Sequence, residues 1–316
     1  MFWDPFRVFF EYDDYYTENY VTGNREDVCL KLLNKRKITP TSYIIGSSRS
    51  LAFKTQYWSK KIASSTKLCF HYDGSGMGLY RTTNALKFLG SNNVKIKNIL
   101  LIVDTDFFGE THNPKGHLFI QHPRVSGQSK ITYYWTFIKA SIDPEFIFYN
   151  LIFKISRNYY GFMGHHIAKS KFSHVSNNMT ADLSYSYDKE IEQDSVKYYH
   201  NLLKEQVFYR RDFYLQTSRR LIKKKQLKLL KEIKEITSKN NTNVKLIISP
   251  LYNQIAFNKR DLEELKKIFG MSSVYDFSGK NTFTYNFKNY YESSHYKPFV
   301  ANKLMDIVYA NSQKSN

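Results

Sequence analysis

The sequence predicts an α/β fold in three layers, a parallel sheet with helices on both faces. Three observations carry that prediction. Short apolar runs recur along the chain: "SYII" at 42–45, "TKLCF" at 66–70, "KNILLIVDT" at 97–105, "VKLIISP" at 244–250 and "SVYDFS" at 273–278. Stretches with helical spacing come between or after them, around Phe53–Ile62, over "GLYRTTNALKFLGS", over "DLEELKKIFG" and over the closing "YKPFVANKLMDIVYAN". Runs that stay apolar, without a polar residue at every second position, suit strands covered on both faces, and alternating helices supply that cover. The third observation is a small polar turn, Gly46–Ser48, directly after the first strand, at the sheet end where ligands bind in such folds.

Bulk composition sets the limits. A chain of 316 residues has room for one large α/β domain or for a domain with a substantial insertion. Its 42% hydrophobic and 17% aromatic content is enough for a packed core, so disorder is not the default. A net charge of +19 admits anionic partners: nucleic acid, acidic glycan or phospholipid headgroups. Part of the charge is concentrated in "YRRDFYLQTSRRLIKKKQLKLLKEIKEITSK", residues 209–239. There Ile222, Leu229, Leu230, Ile233 and Ile236 recur at helical spacing. The run reads as an amphipathic helix with a solvated lysine face. It offers an anionic surface Arg219, Arg220, Lys223, Lys224, Lys225 and Lys228.

No run reaches the about 18 consecutive apolar residues of a membrane-spanning helix, and "PEFIFYNLIFKI" is too short. The opening "MFWDPFRVFFEYDDYY" lacks the basic-then-apolar layout of a signal peptide, so the chain reads as cytoplasmic or as having lost a leader or anchor. Its aromatics, Phe2, Trp3, Phe6, Phe9 and Phe10, read as packing on the domain or as the stub of a removed membrane anchor. Two cysteines, Cys29 and Cys69, give neither a disulfide framework nor a cysteine metal site.

Three divisions follow. Residues 1–40 are aromatic and charged without clear periodicity, and residues 41–310 form one domain. Within it the rhythm breaks at 107–200, rich in His, Tyr, Ser, Asn and Gly, so 107–240 reads as an insertion between the third and fourth strands, a lid or substrate wall.

Two segments hold residues able to do chemistry. In "IIGSSRS", Ser48 follows a strand on a tight turn, where its hydroxyl is exposed and the N–H groups of the next helix face it; the plainer reading is a helix N-cap. In "YYESSHYKPF", Glu292 precedes His295 by three residues, close enough for the carboxylate to orient the imidazole and leave its other nitrogen as a general base; the plainer reading is a solvated loop before the last helix. His112, His117 and His122, and the pair His165–His166, read as loop or substrate-contact histidines, so no metal is expected. The glycines of "DGSGMG" at 73–78 lack the Lys-Ser/Thr of a phosphate loop, and no cofactor is expected.

Together, the early "GSS" and the late "ESSH" resemble the SGNH (GDSL-like) hydrolase superfamily, in which a Gly-Asp-Ser block carries the nucleophile and an Asp-x-x-His block before the last helix carries the base. "IIGSSRS", "IISP", "YDFSG" and "HYKP" look most like a bacterial branch of proteins for cell-surface polysaccharide O-acetyl transfer and teichoic-acid D-alanylation. The resemblance spans 42–106 and 244–310. It implies a flavodoxin-like sheet, with Ser48 as nucleophile, His295 as base and Glu292 as orienting carboxylate. It also implies an oxyanion hole from the N–H groups of Ser48 and Gly76, and substrate contacts from Arg49, Ser75 and Asp106. Arg49 reads equally as a packing residue, and Asp106 as a structural residue or the partner of a cation. Two departures stand out: Glu replaces Asp before the histidine, and "VDTDFF" after the third strand has no Gly-x-Asn. The implied function is a serine esterase or O-acyltransferase acting on an acylated glycan or cell-envelope polymer outside the cytoplasm. The competing reading is a catalytically degenerate module that holds an anionic polymer on the basic helix, with nucleic acid the less favoured ligand.

Overall fold

The computed structural model describes residues 3–13, 15, 21–91, 95–164, 166–167, 172–185 and 187–310, without the side chains of 172–177. Phe2 and His165 lie outside the described residues. The chain runs α1 (Arg25–Asn34), β1 (Ser42–Gly46), α2 (Thr55–Lys61), β2 (Cys69–Asp73), α3 (Leu79–Ser91), β3 (Asn98–Val103), α4 (Pro123–Ser126), α5 (Lys130–Ser141) and α6 (Pro144–Ser156). It continues through β4 (Phe172–Asn177), β5 (Asp182–Tyr185), α7 (Tyr187–Lys204), α8 (Lys224–Lys239), β6 (Asn243–Ile248), α9 (Lys259–Phe269), β7 (Val274–Asp276), α10 (Thr282–Tyr285), β8 (Tyr290–Glu292), β9 (His295–Tyr296) and α11 (Pro298–Val308).

A parallel sheet in the order β2-β1-β3-β6-β7 forms the centre. Successive strand residues face opposite sides, so one apolar strand feeds two cores. Tyr43, Ile45, Leu101 and Leu246 pack under Leu30 of α1, Leu86 of α3, Leu230 of α8 and Leu265 of α9. Ile44, Leu100, Ile102 and Ile247 pack under Trp58 of α2 and Val300 and Leu304 of α11. Burial on both faces is what the unbroken apolar runs require.

Three local expectations need correction. "TKLCF" is not a strand throughout: Thr66–Leu68 form a 3-10 turn capped by Ser65, and β2 runs from Cys69 to Asp73. Its end was hidden because His71 and Asp73 are polar, yet both are buried against polar partners. Residues 25–34, which lack obvious periodicity, form α1, capped by the Asn24 side chain on Asp27 N–H. Its inner face carries charge, with Arg25 paired to Asp73 at 2.6 Å, so an apolar count misses it. The basic run 209–239 is not one helix. Only Lys224–Lys239 is helical, and the stretch before it satisfies its backbone elsewhere: Ser218 N–H donates to Ala256 O at 2.8 Å and Leu221 N–H to Asp261 Oδ2 at 2.6 Å. Arg211 in that stretch donates to the carbonyls of Tyr252, Thr284 and Tyr285.

Between β3 and β6 lie α4 to α8 and the antiparallel β4–β5 pair. Helices α5 and α6 close a small core with Phe6, Val8 and Ile120 through Tyr133, Phe137 and Phe146. Trp3 stacks on Phe146 at 6.0 Å and Phe9 on Tyr134 at 5.7 Å, so Trp3, Phe6 and Phe9 pack on the domain. The outer faces of α5 and α6 expose Ile131 (83%) and Ile155 (76%) with Trp135, Phe148 and Leu151. Among the described residues, no helix is long and apolar enough to cross a membrane.

Gly46 is where β1 must give way. A Cβ there would sit 2.8 Å from the Ile102 carbonyl oxygen and 3.0 Å from Ser50 Cβ. The neighbour is backbone on a central strand, which cannot swing aside. Gly46→Ala is therefore expected to lower stability by about 1–3 kcal/mol, read as a drop in the urea midpoint at unchanged slope.

Candidate active site

Where β1 stops at Gly46, the Ser47 side chain accepts from Arg49 N–H at 3.4 Å and the chain enters a 3-10 turn, Ser48–Ala52. Ser48 thus stands at the carboxyl end of a central strand. From the other end of the chain, β8 and β9 pair as a tight hairpin that sets Glu292 opposite His295. Glu292 Oε2 accepts from Ser294 N–H at 2.7 Å, which fixes the turn, and Pro298 opens α11 beyond it. His295 Nε2 lies 2.8 Å from Ser48 Oγ, and its Nδ1 is hydrogen-bonded to Glu292 Oε1. A hydroxyl, an imidazole and a carboxylate, 247 residues apart at their extremes, form one series.

The series opens on a cleft of about 250 Å³. Its walls are Ser47, Ser48 and Arg49 after β1, Gly76 and Met77 after β2, Asp104, Asp106 and Phe107 after β3, and Ser294 and His295 from the hairpin. Three adjacent strand ends build it, on the two sides of β1 where the strand order reverses. Gly76 has φ +54°, a left-handed turn that suits glycine. Among the described residues the N–H groups of Ser48 and Gly76 meet no acceptor. Glu292 stands behind His295, while Ser75 is not in the wall and contributes only its carbonyl, to Arg81.

Arg49 and the two aspartates after β3 form a unit. Arg49 Nη1 donates to Asp104 Oδ2 at 2.7 Å and Asp106 Oδ2 at 3.3 Å, and Nε to Ser294 O at 3.3 Å. Burial opposes the guanidinium charge, but Asp104 and then Asp106 outweigh it, so Arg49 is held above its usual range. Asp104 also accepts from the N–H groups of Asp106 and Phe107 at 2.8 and 3.1 Å, closing the loop in which a Gly-x-Asn was sought.

Sequence reasoning missed two residues here. The Tyr185 ring from β5 packs 5.1 Å from the His295 ring, and its hydroxyl donates to Ser48 O at 3.4 Å. Burial pushes this phenol well above its usual range, so it stays a neutral donor. It lies in the stretch without rhythm, where no pattern pointed to it. Arg81 is buried beneath the Gly76 loop, donating to Glu110 Oε2 at 2.8 Å. It too reads as an ordinary residue of a helix.

The histidines singled out as loop residues have separate duties. His117 packs on Phe6 at 4.5 Å and burial pushes it down to about 4, while His122 Nδ1 accepts from Arg124 N–H. Asp143, Glu145 and His166 bring ligand atoms within 4.8 Å of one another, but Asp143 caps α6 and Glu145 accepts from the Tyr149 hydroxyl. No protein-family model matches the chain, and no curated protein matches it either. A hydroxyl hydrogen-bonded to an oriented imidazole, beside two unengaged N–H groups, is equipped for acyl transfer.

Glu26 lies under this site with Gln121 Nε2 at 2.6 Å and Arg81 Nη1 at 3.7 Å, and burial pushes its carboxyl up from 4.5 to about 7. A raised folded value favours the protonated form. Its contribution to stability is therefore complete below about pH 4.5 and lost as pH rises through 7. Relative to Glu26→Gln, the unmodified protein is expected to lose roughly 2–3 kcal/mol between pH 5 and 8, measured by urea unfolding across that range.

Proposed function

We propose that this chain is a serine esterase or O-acyltransferase of the SGNH type, acting on an acylated glycan or cell-envelope polymer outside the cytoplasm. The observation that carries the reading is the Ser48–His295–Glu292 series opening on the cleft. The sheet supports it as well, because its five strands, numbered along the chain, fall in the 2-1-3-4-5 order of flavodoxin-like folds. On this reading residues 107–240 are the insertion, and β5 returns from it to the site through Tyr185.

The chemistry follows from the contacts. His295 Nε2 takes the proton as Ser48 Oγ attacks the ester carbonyl, and Glu292 steadies the imidazolium through Nδ1. The oxyanion receives the N–H groups of Ser48 and Gly76. His295 then protonates the leaving alkoxide, which departs and leaves the acyl group on Ser48. Water or a sugar hydroxyl, deprotonated by His295, attacks that ester; only the second makes a transferase. Arg49 Nη2, in the cleft wall with no acceptor among the described residues, supplies the contact to a substrate oxygen. An open cleft of about 250 Å³ suits a short acyl group on a polymer that lies outside it.

A second reading, a degenerate module holding an anionic polymer, draws on one observation. Arg219, Arg220, Lys223, Lys224, Lys225 and Lys228 are all exposed, and the three consecutive lysines sit at the start of α8, where the helix dipole disfavours cations. Under the esterase reading the same surface docks the polymer.

Kinetics on p-nitrophenyl acetate separate the two. Ser48→Ala and His295→Ala are each expected to lower kcat/KM by more than about 10³-fold, and Glu292→Gln by about 10²–10⁴-fold. Turnover that survives Ser48→Ala contradicts the esterase reading. Loss of salt-sensitive polymer retention when Lys223, Lys224, Lys225 and Lys228 become Gln, in a protein without turnover, would favour the second.

A further inference from the structure

The N–H groups assigned to the oxyanion belong to the peptides Ser47–Ser48 and Ser75–Gly76. A trans peptide points its C=O and N–H in opposite directions, so whatever holds the carbonyl aims the N–H. Both carbonyls are held from inside the protein. Ser47 O accepts from Ser50 N–H at 2.8 Å and from Ser50 Oγ at 2.7 Å. Ser75 O and Gly76 O accept from Arg81 Nη2 at 3.0 and 2.6 Å.

Behind Ser50 the contacts continue. Its Oγ lies 2.9 Å from His71 Nε2, and His71 Nδ1 lies 3.3 Å from Asp182 Oδ1. The residue types are those of a second Ser-His-Asp set, but Ser50 and His71 are both 0% exposed, so no substrate reaches them. Counting hydrogens gives the set another task. Ser50 has one hydroxyl hydrogen, and a carbonyl cannot donate, so that hydrogen goes to Ser47 O. Ser50 Oγ then accepts, which places a hydrogen on His71 Nε2. On the other side, Nδ1 faces a carboxylate that already accepts from Thr55 N–H at 3.2 Å, Thr55 Oγ1 at 2.5 Å and Thr180 Oγ1 at 3.2 Å. That contact holds the ring so that Nε2 faces Ser50. The series then runs from His71 Nε2–H to Ser50 Oγ and from the Ser50 hydroxyl to Ser47 O.

We propose that the Asp182–His71–Ser50 relay and Arg81 are paired positioning devices, each pinning the inner carbonyl of one oxyanion peptide. The pinned carbonyl turns its N–H toward the cleft. The Arg81 guanidinium behind Ser75 O also polarises that peptide, which makes the Gly76 N–H a better donor. The catalytic consequence rests on the esterase reading; the hydrogen on His71 Nε2 does not.

Histidine-ring ¹⁵N NMR of the free protein, assigned with His71→Gln, is expected to show a hydrogen on His71 Nε2, the nitrogen that faces Ser50 Oγ. A bare Nε2 overturns the relay whether or not the protein turns over esters. In p-nitrophenyl acetate hydrolysis, Ser50→Ala is expected to lower kcat about 10–100-fold with KM within about twofold, and Arg81→Lys about tenfold. His71→Gln, which keeps an N–H facing Ser50, is expected to recover most of the rate lost in His71→Leu. Undiminished kcat in Ser50→Ala, or His71→Gln as slow as His71→Leu, overturns the proposal. If His71→Leu does not fold, Ser50→Ala and the NMR decide. If the unmodified protein has no turnover and Ser48 is unreactive, the esterase reading fails, and the NMR still decides the relay.

Discussion

A charged or polar group taken out of water costs several kcal/mol unless another group inside the protein meets it. The carboxyl ends of β1 and β2, with the loops and helices around them, bury Arg25, Glu26, Ser50, His71, Asp73, Arg81 and Asp104 together. Each has at least one partner: Arg25 with Asp73, Arg81 with Glu110, His71 with Ser50 and Asp182, and Arg49 with Asp104. Meeting that requirement draws α1, the β4–β5 pair and the loop after β3 onto the same end of the sheet. The cleft opens at that end, where the segments after β1, β2 and β3 meet the β8–β9 hairpin.

Much of the framework was legible because it rests on periodicity. The strand runs at 42–45, 97–105 and 244–250 fall on β1, β3 and β6 within a residue or two, since burial on both faces leaves an apolar signature. Ser48, Glu292 and His295 could be picked out because two of them share four residues and the third follows an apolar strand on a small polar turn. What stayed hidden depends on partners remote in sequence. His71 meets Asp182 across 111 residues, and Arg25 meets Asp73 across 48, so neither spacing nor hydropathy marks them. The basic run failed for the opposite reason. Its helical spacing is real from Lys224 onward, but before that residue the backbone bonds to the Ala256 segment and the Asp261 carboxylate instead of to itself.

The two departures from the SGNH pattern have physical answers within this reading. The longer glutamate still reaches the imidazole because a hairpin, not a helical turn, sets Glu292 opposite His295. Where an amide donor was expected after β3, Asp104 instead anchors Arg49, and the guanidinium sits in the cleft wall. A fixed cation in place of a neutral amide would bias the site toward substrates with oxygen-rich or acidic groups beside the ester.

The central claim is that Ser48 is an activated nucleophile. Treating the protein with a fluorophosphonate and mapping the adduct by mass spectrometry tests it most directly. The account predicts one phosphonylated residue, Ser48, with labelling lost in His295→Ala while that variant keeps its unfolding transition. A folded protein that takes no label, or takes it elsewhere, would contradict it.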